Sequence, residues 1–359
     1  MGIKGLSTFL NTNCVGKNKG IEEVHLSSFK GKTIAFDFTN QLYRFLYRDS
    51  TNKSYLLEFI NLIHKFQRYC IKIVFVMDGK PIVEKQYVIE HRKAYRERLI
   101  KKIDEISEGS DNSDDQANTI KHLSKKTNTV KASYISDCKK LFDNLGIPYI
   151  HVDDLEADAI FKYLLDNNMA DACFSADTDV IAYGCHTILK DLNYINDTVQ
   201  CINVNQLLAT LGITQEQLLY TCILSGTDYN NSLKRSKFEI NLELIKNYRT
   251  IRNVIDNLDE INKSQPEEYK KSLPTRFDWQ NAFAVFTESI PCNVQMQISK
   301  ILEFKKMYES FVNNKSSGLQ MQKYLDSQIG ILDKTQKYAR KFIEIVSSNF
   351  KMQLKCPTF

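Results

Sequence analysis

Ala172-Cys173-Phe174-Ser175-Ala176 is a short run of apolar and small residues that stops at Asp177-Thr178-Asp179. Read as a strand, it ends on a pair of carboxylates. Three other runs have the same form. Thr33-Ile34-Ala35-Phe36 ends at Asp37, and Lys72-Ile73-Val74-Phe75-Val76-Met77 ends at Asp78-Gly79. Pro148-Tyr149-Ile150-His151-Val152 leads into Asp153-Asp154. Amphipathic stretches at residues 40–47, 55–69 and 155–165 separate these runs. Strands that alternate with helices predict an α/β fold, with a mainly parallel central sheet and helices on both faces. In such a sheet the site lies beyond the carboxyl ends of the strands.

One Asp after a strand is ordinary, because it caps a helix or forms a turn. Three of them, Asp37, Asp78 and Asp177, converge on one edge of a parallel sheet. Two close pairs join them, Glu156-Ala157-Asp158 and Asp177-Thr178-Asp179, and Gly226-Thr227-Asp228-Tyr229 supplies a seventh acid. Carboxylates placed so close repel unless a positive charge lies between them. Hard divalent cations such as Mg²⁺ or Mn²⁺ take oxygen ligands and suit that place. Seven ionised carboxylates carry −7 and two Mg²⁺ carry +4, so further cations are needed before a phosphate is drawn in. Two-metal sites of this kind hydrolyse phosphate esters.

The remaining composition excludes several classes. The chain has 359 residues, 43% hydrophobic and 25% charged, which fits a globular protein. No run of about 18 apolar residues predicts a membrane span. The N-terminal residues do not read as a signal peptide, and Leu6 breaks the myristoylation motif that Met1-Gly2 suggests. Nine scattered cysteines without a C-x-x-C pair argue for a reducing compartment, without a disulfide framework or a structural zinc. Net charge is only +5. Its distribution is more telling. Lys80, Lys85, Arg92, Lys93, Arg96, Arg98, Lys101 and Lys102 form a basic stretch, an acidic segment follows over 103–118, and a Lys-rich one over 119–140. On charge alone this reads as a solvated insertion.

At the acidic residues the sequence resembles the flap endonuclease family, the XPG-type 5′ nucleases. The match is carried by Met1-Gly2-Ile3-Lys4-Gly5-Leu6, the Asp37…Tyr43 spacing, Asp78-Gly79-Lys80-Pro81, Lys85, Arg92, Glu156-Ala157-Asp158-Ala159, Asp177-Thr178-Asp179 and Gly226-Thr227-Asp228-Tyr229. The motifs follow the family's order across residues 1–230. The resemblance implies a structure-specific nuclease with two Mg²⁺, replaceable by Mn²⁺, acting on 5′ flaps or related branched DNA in replication, repair or recombination. Asp37, Asp78, Glu156 and Asp158 would hold the first ion, and Asp177, Asp179 and Asp228 the second. Lys85 and Arg92, seven apart and so on one helix face, would reach the scissile phosphate. Tyr43 would stack on the base next to the cut, and Gly2 would let backbone approach DNA. Lys93 and Arg96 would add DNA contacts on a helical arch.

The resemblance further implies a compact monomer acting in the nucleus, and the short chain with no clamp motif fits a viral member, whose site would be the host nucleus. Four regions are expected: a nuclease region over 1–100, an arch over 101–135 with its acidic tip outermost, a second nuclease region over 136–256, and a helical extension over 257–359. Some positions depart from the family. Where its Gly-rich duplex-binding turn follows the last Asp, this chain has Asn230-Asn231-Ser232-Leu233-Lys234-Arg235-Ser236-Lys237. Lys234, Arg235 and Lys237 remain candidate phosphate contacts. The second acid of the Glu box is Asp158, one methylene short, and no sliding-clamp motif stands near the C-terminus. Two alternatives are a non-catalytic junction-binding protein with this fold, and a haloacid-dehalogenase-type phosphatase. The second wants Thr or Val where Ile181 stands and leaves Asp37, Asp78 and Glu156 without a role.

Overall fold

The computed structural model describes residues 2–48, 54–108, 114–153 and 155–312. Residues 109–113 of the expected acidic tip and the tail beyond 312 lie outside them.

The sheet has seven strands: β1 (Ile21–His25), β2 (Thr33–Asp37), β3 (Lys72–Met77), β4 (Tyr149–His151), β5 (Ala172–Phe174), β6 (Thr187–Asn193) and β7 (Thr198–Asn203). Their order is β1-β7-β6-β5-β2-β3-β4. The pairs β5·β6, β2·β5, β2·β3 and β3·β4 are parallel, while β6·β7 and β1·β7 are antiparallel. The four strands expected from the sequence form the parallel centre. The antiparallel edge adds three that the apolar-run pattern did not reveal.

Fifteen helices surround the sheet among the described residues: α1 (Leu6–Asn13), α2 (Phe38–Arg48), α3 (Ser54–Gln67), α4 (Gln86–Glu108), α5 (Asp114–Thr127), α6 (Ala132–Leu145), α7 (Ala157–Asp166), α8 (Asp179–Ala182), α9 (Val204–Leu211), α10 (Gln215–Ser225), α11 (Phe238–Tyr248), α12 (Ile251–Asp256), α13 (Leu258–Asn262), α14 (Trp279–Thr287) and α15 (Cys292–Val312). None of them is long and apolar enough alone to cross a membrane.

Burial on both faces explains why the central strands read as unbroken apolar runs. On one face, α2, α3 and α6 enclose a cluster of phenylalanines. Phe142 stacks on Phe75 at 4.3 Å, and Phe36 stacks on Phe174 at 4.9 Å. Ring pairs of this kind add about 0.5–1.5 kcal/mol each beyond the area they bury. The opposite face packs α1, α7, α10, α11 and α14 through residues such as Phe161, Ile223, Ile245 and Phe286.

This topology creates the site. β2 pairs with β3 on one side and with β5 on the other, so the chain switches direction across the sheet at β2. The register sets Phe36 beside both Phe75 and Phe174 and Met77 beside His151. The carboxyl ends of all four strands therefore open on one edge, at the switch point where such sheets bind ligands. Above this edge, α4 runs unbroken for 23 residues and pairs with α5 as a helical hairpin, tied near the tip by Gln116 Nε2 donating to Ile106 O. The basic residues from Arg92 to Lys102 and the start of the acidic segment thus lie on one helix, while Lys80 and Lys85 precede it.

Candidate active site

Each acid arrives on the backbone feature its spacing implied. Asp37 closes β2 and sits at the start of α2, where its Oδ1 accepts the Asn40 N–H at 2.8 Å. Asp78 follows β3, and its Oδ1 accepts the Ala157 N–H at the start of α7, at 3.0 Å. Asp177 Oδ1 accepts the Asp179 N–H at 3.2 Å. The ordinary role of a helix or turn cap is therefore real for Asp37, Asp78 and Asp177. It does not account for their sharing one pocket with four more acids.

The crowding shows in the proton affinities. Burial, then Asp78 and Asp177, push the pKa of Asp37 up to about 7, although the Asn40 N–H and the Ser175 hydroxyl at 2.8 Å oppose the rise. Asp158 is raised by burial and then by Asp177, Asp179 and Asp37. Asp179 is raised by burial and then by Asp177, Asp228 and Glu156. Asp177 is raised by burial first, with Asp228 adding to it. The acids that raise these four include Asp78, Glu156 and Asp228, so all seven candidates lie within one another's electrostatic reach.

Two cations offset part of this charge. Lys85 Nζ lies 2.9 Å from Glu156 Oε2 and 3.8 Å from Asp228 Oδ2. Arg92 Nη2 donates to the same Asp228 oxygen at 2.8 Å. Burial works against the Lys85 charge, but Glu156, Asp158 and Asp228 outweigh it and raise its pKa. Lys85 does not share a helix with Arg92 as expected: it ends the 3₁₀ turn Val83–Lys85, and Arg92 lies on α4, which begins at Gln86, yet both side chains reach the acidic residues.

Gly2 completes the floor. A Cβ there would collide with Asp177 Oδ1 and Thr178 Oγ1 and stand 3.1 Å from Asp179 Oδ1, and its φ is +113°. Thr178 Oγ1 accepts the Ile3 N–H at 2.9 Å, which binds the N-terminal turn to the acidic loop. The other expected contacts are more dispersed. Tyr43 on α2 is exposed, as is Lys93 on α4, and Arg96 is half-buried. Lys234 and Lys237 are exposed, whereas Arg235 donates to the carbonyls of Glu267 at 3.0 Å and Lys270 at 3.1 Å.

Several contributors were not among the expected site residues, although Tyr229 closes the Gly226–Tyr229 motif. Ser175 bridges Asp37 Oδ2 and the Asp177 N–H. Tyr229 donates to Glu156 Oε2 at 2.8 Å and meets the Tyr183 hydroxyl at 3.2 Å, while Phe286 from α14 packs on both rings. Burial first, then Tyr183 and the nearby acids Glu156 and Asp158, raise the Tyr229 pKa, so it remains a donor to Glu156.

The donor set suits hard divalent cations. It is all carboxylate oxygen, it is buried and mutually repelling, and Asp179 Oδ1 is buried without a hydrogen-bond partner. Among the described residues, no three Asp, Glu, His or Cys side chains already stand as a closed ligand set. Lys85 and Arg92 instead hold Glu156 and Asp228.

The family model described as the XPG N-terminal domain matches residues 1–99, and that of the XPG I-region matches residues 146–228. Both matched segments carry the acids described above. The stretch between them holds the outer part of α4 together with α5 and α6. Flap endonuclease 1-A of Sorghum bicolor is 30% identical over 284 residues, which cover 75% of this chain and 72% of the relative. Flap endonuclease 1 of Picrophilus torridus is 29% identical over 270 residues, covering 67% and 78%. The fold is similar to that of the catalytic core of Rad2 in complex with DNA substrate, with a TM-score of 0.61, 20% identity, and coverage of 97% of this chain and 100% of that one. It is also similar to human GEN1 in complex with Holliday junction DNA, with a TM-score of 0.59, 18% identity, and coverage of 99% and 81%.

Proposed function

Since the chain belongs to the XPG-type flap endonuclease family, we propose that it hydrolyses phosphodiester bonds of branched DNA as a structure-specific 5′ nuclease. One observation carries this reading: seven carboxylates gather on the carboxyl edge of the parallel sheet, under a 3₁₀ turn and a helix that bring Lys85 and Arg92 among them. A basic pair over an acidic pocket suits a phosphate held between cations.

Two divalent ions, Mg²⁺ or in its place Mn²⁺, fit the pocket. Asp37, Asp78, Glu156 and Asp158 would hold one, and Asp177, Asp179 and Asp228 the other. Bound there, such ions supply Lewis-acid activation of water and of the scissile phosphate. Lys85 and Arg92 act on the phosphate itself. Without DNA they pair with Glu156 and Asp228; with DNA present they turn to phosphate oxygens and offset the charge that develops at the cut. Gly2 lets the backbone come close without a side chain. Tyr43, exposed on α2, stacks on the base beside the cut. Lys93 and Arg96 on α4 contact a single-stranded 5′ end embraced by the arch, which we place over 101–135. Lys234 and Lys237 contact duplex phosphates. The protein acts as a monomer in the nucleus, which sedimentation and a fluorescent fusion would each check.

Asp179→Ala tests the central claim. It should abolish Mg²⁺-dependent cleavage of a labelled 5′-flap duplex and leave binding measurable. Cleavage at the wild-type rate would refute the site. Binding by the wild type with no product at any Mg²⁺ concentration would favour a junction-binding protein instead.

A further inference from the structure

Arg276 belongs to none of the motifs. It lies in the connection before α14, yet it touches both halves of the site. Its Nη2 donates to the Glu84 carbonyl at 2.9 Å, across 192 residues of chain. Its guanidinium lies 4.5 Å from the centre of the Tyr87 ring. Its own carbonyl accepts the Asn231 N–H at 2.9 Å, three residues past Asp228.

These partners matter because of what they adjoin. Glu84 is the middle residue of the 3₁₀ turn Val83–Lys85, which leads into α4 and carries Lys85. Val83 in that turn is 79% exposed, so the turn has little packing to hold it. A Lys side chain is long and flexible. Its ammonium reaches Glu156 and Asp228 reliably only if the backbone it hangs from is fixed. Arginine suits that task, since its planar fork donates to a carbonyl while its face stacks on a ring.

We propose that Arg276 is a positioning residue for Lys85. It clamps residues 83–87 at the base of the arch and keeps that base in register with the turn that follows Asp228. The C-terminal helical region thereby acquires a part in the reaction, through Lys85 rather than by contact with the reacting phosphate. The inference rests on the nuclease reading above.

The test uses the full chain and a labelled 5′-flap duplex. Under single-turnover conditions with Mg²⁺, Arg276→Ala should slow cleavage about tenfold while flap affinity, measured with Ca²⁺, stays within about twofold. Arg276→Lys should recover little, because an ammonium lacks the fork and the face. In a Lys85→Ala background, Arg276→Ala should add almost no further loss. Hydrogen exchange at the amides of residues 83–87 should quicken about tenfold in Arg276→Ala. Wild-type cleavage by Arg276→Ala, an undiminished loss in the Lys85→Ala background, or unchanged exchange at 83–87 would each overturn the proposal. A wild-type protein that cuts no branched substrate overturns the nuclease reading instead, and the exchange measurement still judges the clamp.

Discussion

Without divalent metal, the protein should lose stability as pH rises toward neutrality, and Asp37 isolates the effect. Asp37 is 7% exposed. Its pKa stands at about 7 against an ordinary 3.8, through burial first and the neighbouring Asp78 second. Below pH 3.8 the carboxyl is protonated in both the folded and the unfolded chain. Between 3.8 and about 7 the unfolded chain has released its proton and the folded chain has kept it. The folded state then binds more protons, so stability falls as pH rises. Above about 7 the group is ionised in both states and the slope ends. A shift of this size corresponds to roughly 4 kcal/mol in all, of which about 2 kcal/mol develops between about pH 5 and pH 7.5. Asp37→Asn does not titrate. In urea unfolding with EDTA, its stability advantage over the wild type should therefore widen by about 2 kcal/mol across that window. The comparison also cancels His64 and His151. Burial, followed by nearby cations, lowers their pKa values, so they remove stability as pH falls below 6.5. Saturating Mg²⁺ should flatten the wild-type profile, because a ligand bound only to the folded state supplies the missing positive charge. A gap that stays constant or narrows as pH rises would refute the reasoning.

Two further outcomes follow from the same geometry. Gly2→Ala pushes a methyl against Asp177 and Thr178 from a backbone at φ +113°; single-turnover flap cleavage should fall on the order of 10²-fold with binding retained, and a rate within about twofold of wild type would remove the N-terminal turn from the site. Lys234→Ala and Lys237→Ala should each lower the salt slope of duplex binding by about 1, whereas Arg235→Ala should reduce urea stability and leave that slope unchanged.

The centre of the fold was legible because β2, β3 and β5 are buried on both faces. Such strands are written as unbroken apolar runs. β1, β6 and β7 mix buried with exposed and half-buried positions without regular alternation, and Glu22, Glu23, Lys190 and Asp191 break any apolar run. Periodicity therefore gave them no signal. The acids were legible for a related reason: each lies at or beside an element end, so sequence position predicts position on the sheet edge. Ser175, Tyr183 and Arg276 had no such address. Their roles depend on contacts 46 to 192 residues away in the chain, which only the folded topology brings about. Lys85 and Arg92 were legible as basic residues seven apart, but neither the 3₁₀ turn that carries Lys85 nor the partners Glu156 and Asp228 were. The sequence shows spacing along a helix, and says nothing of which carboxylate a side chain reaches when no metal competes for it.

The turn after Asp228 contains no glycine, yet one of its residues takes a left-handed backbone conformation. Arg235 adopts φ +56°, a left-handed conformation that costs a residue with a Cβ about 1–2 kcal/mol. Glycine would avoid that cost. Here the segment 267–276 offsets it. Arg235 donates to Glu267 O and Lys270 O, Lys234 N donates to Ser272 O at 3.0 Å, and Asn231 N donates to Arg276 O at 2.9 Å. At about 0.5–1.5 kcal/mol net for each bond, four bonds more than balance one strained residue. The exchange has two consequences. The Arg235 guanidinium donates to main-chain carbonyls, so under the proposed function the duplex phosphates fall to Lys234 and Lys237. It also makes the turn behind Asp228 depend on the helical region that follows it, the same region whose Phe286 packs on Tyr229 and whose Arg276 holds the base of the arch. The acids occupy the matched N-terminal two-thirds of the chain, but what holds Asp228, Glu156 and Lys85 in mutual register extends past residue 276.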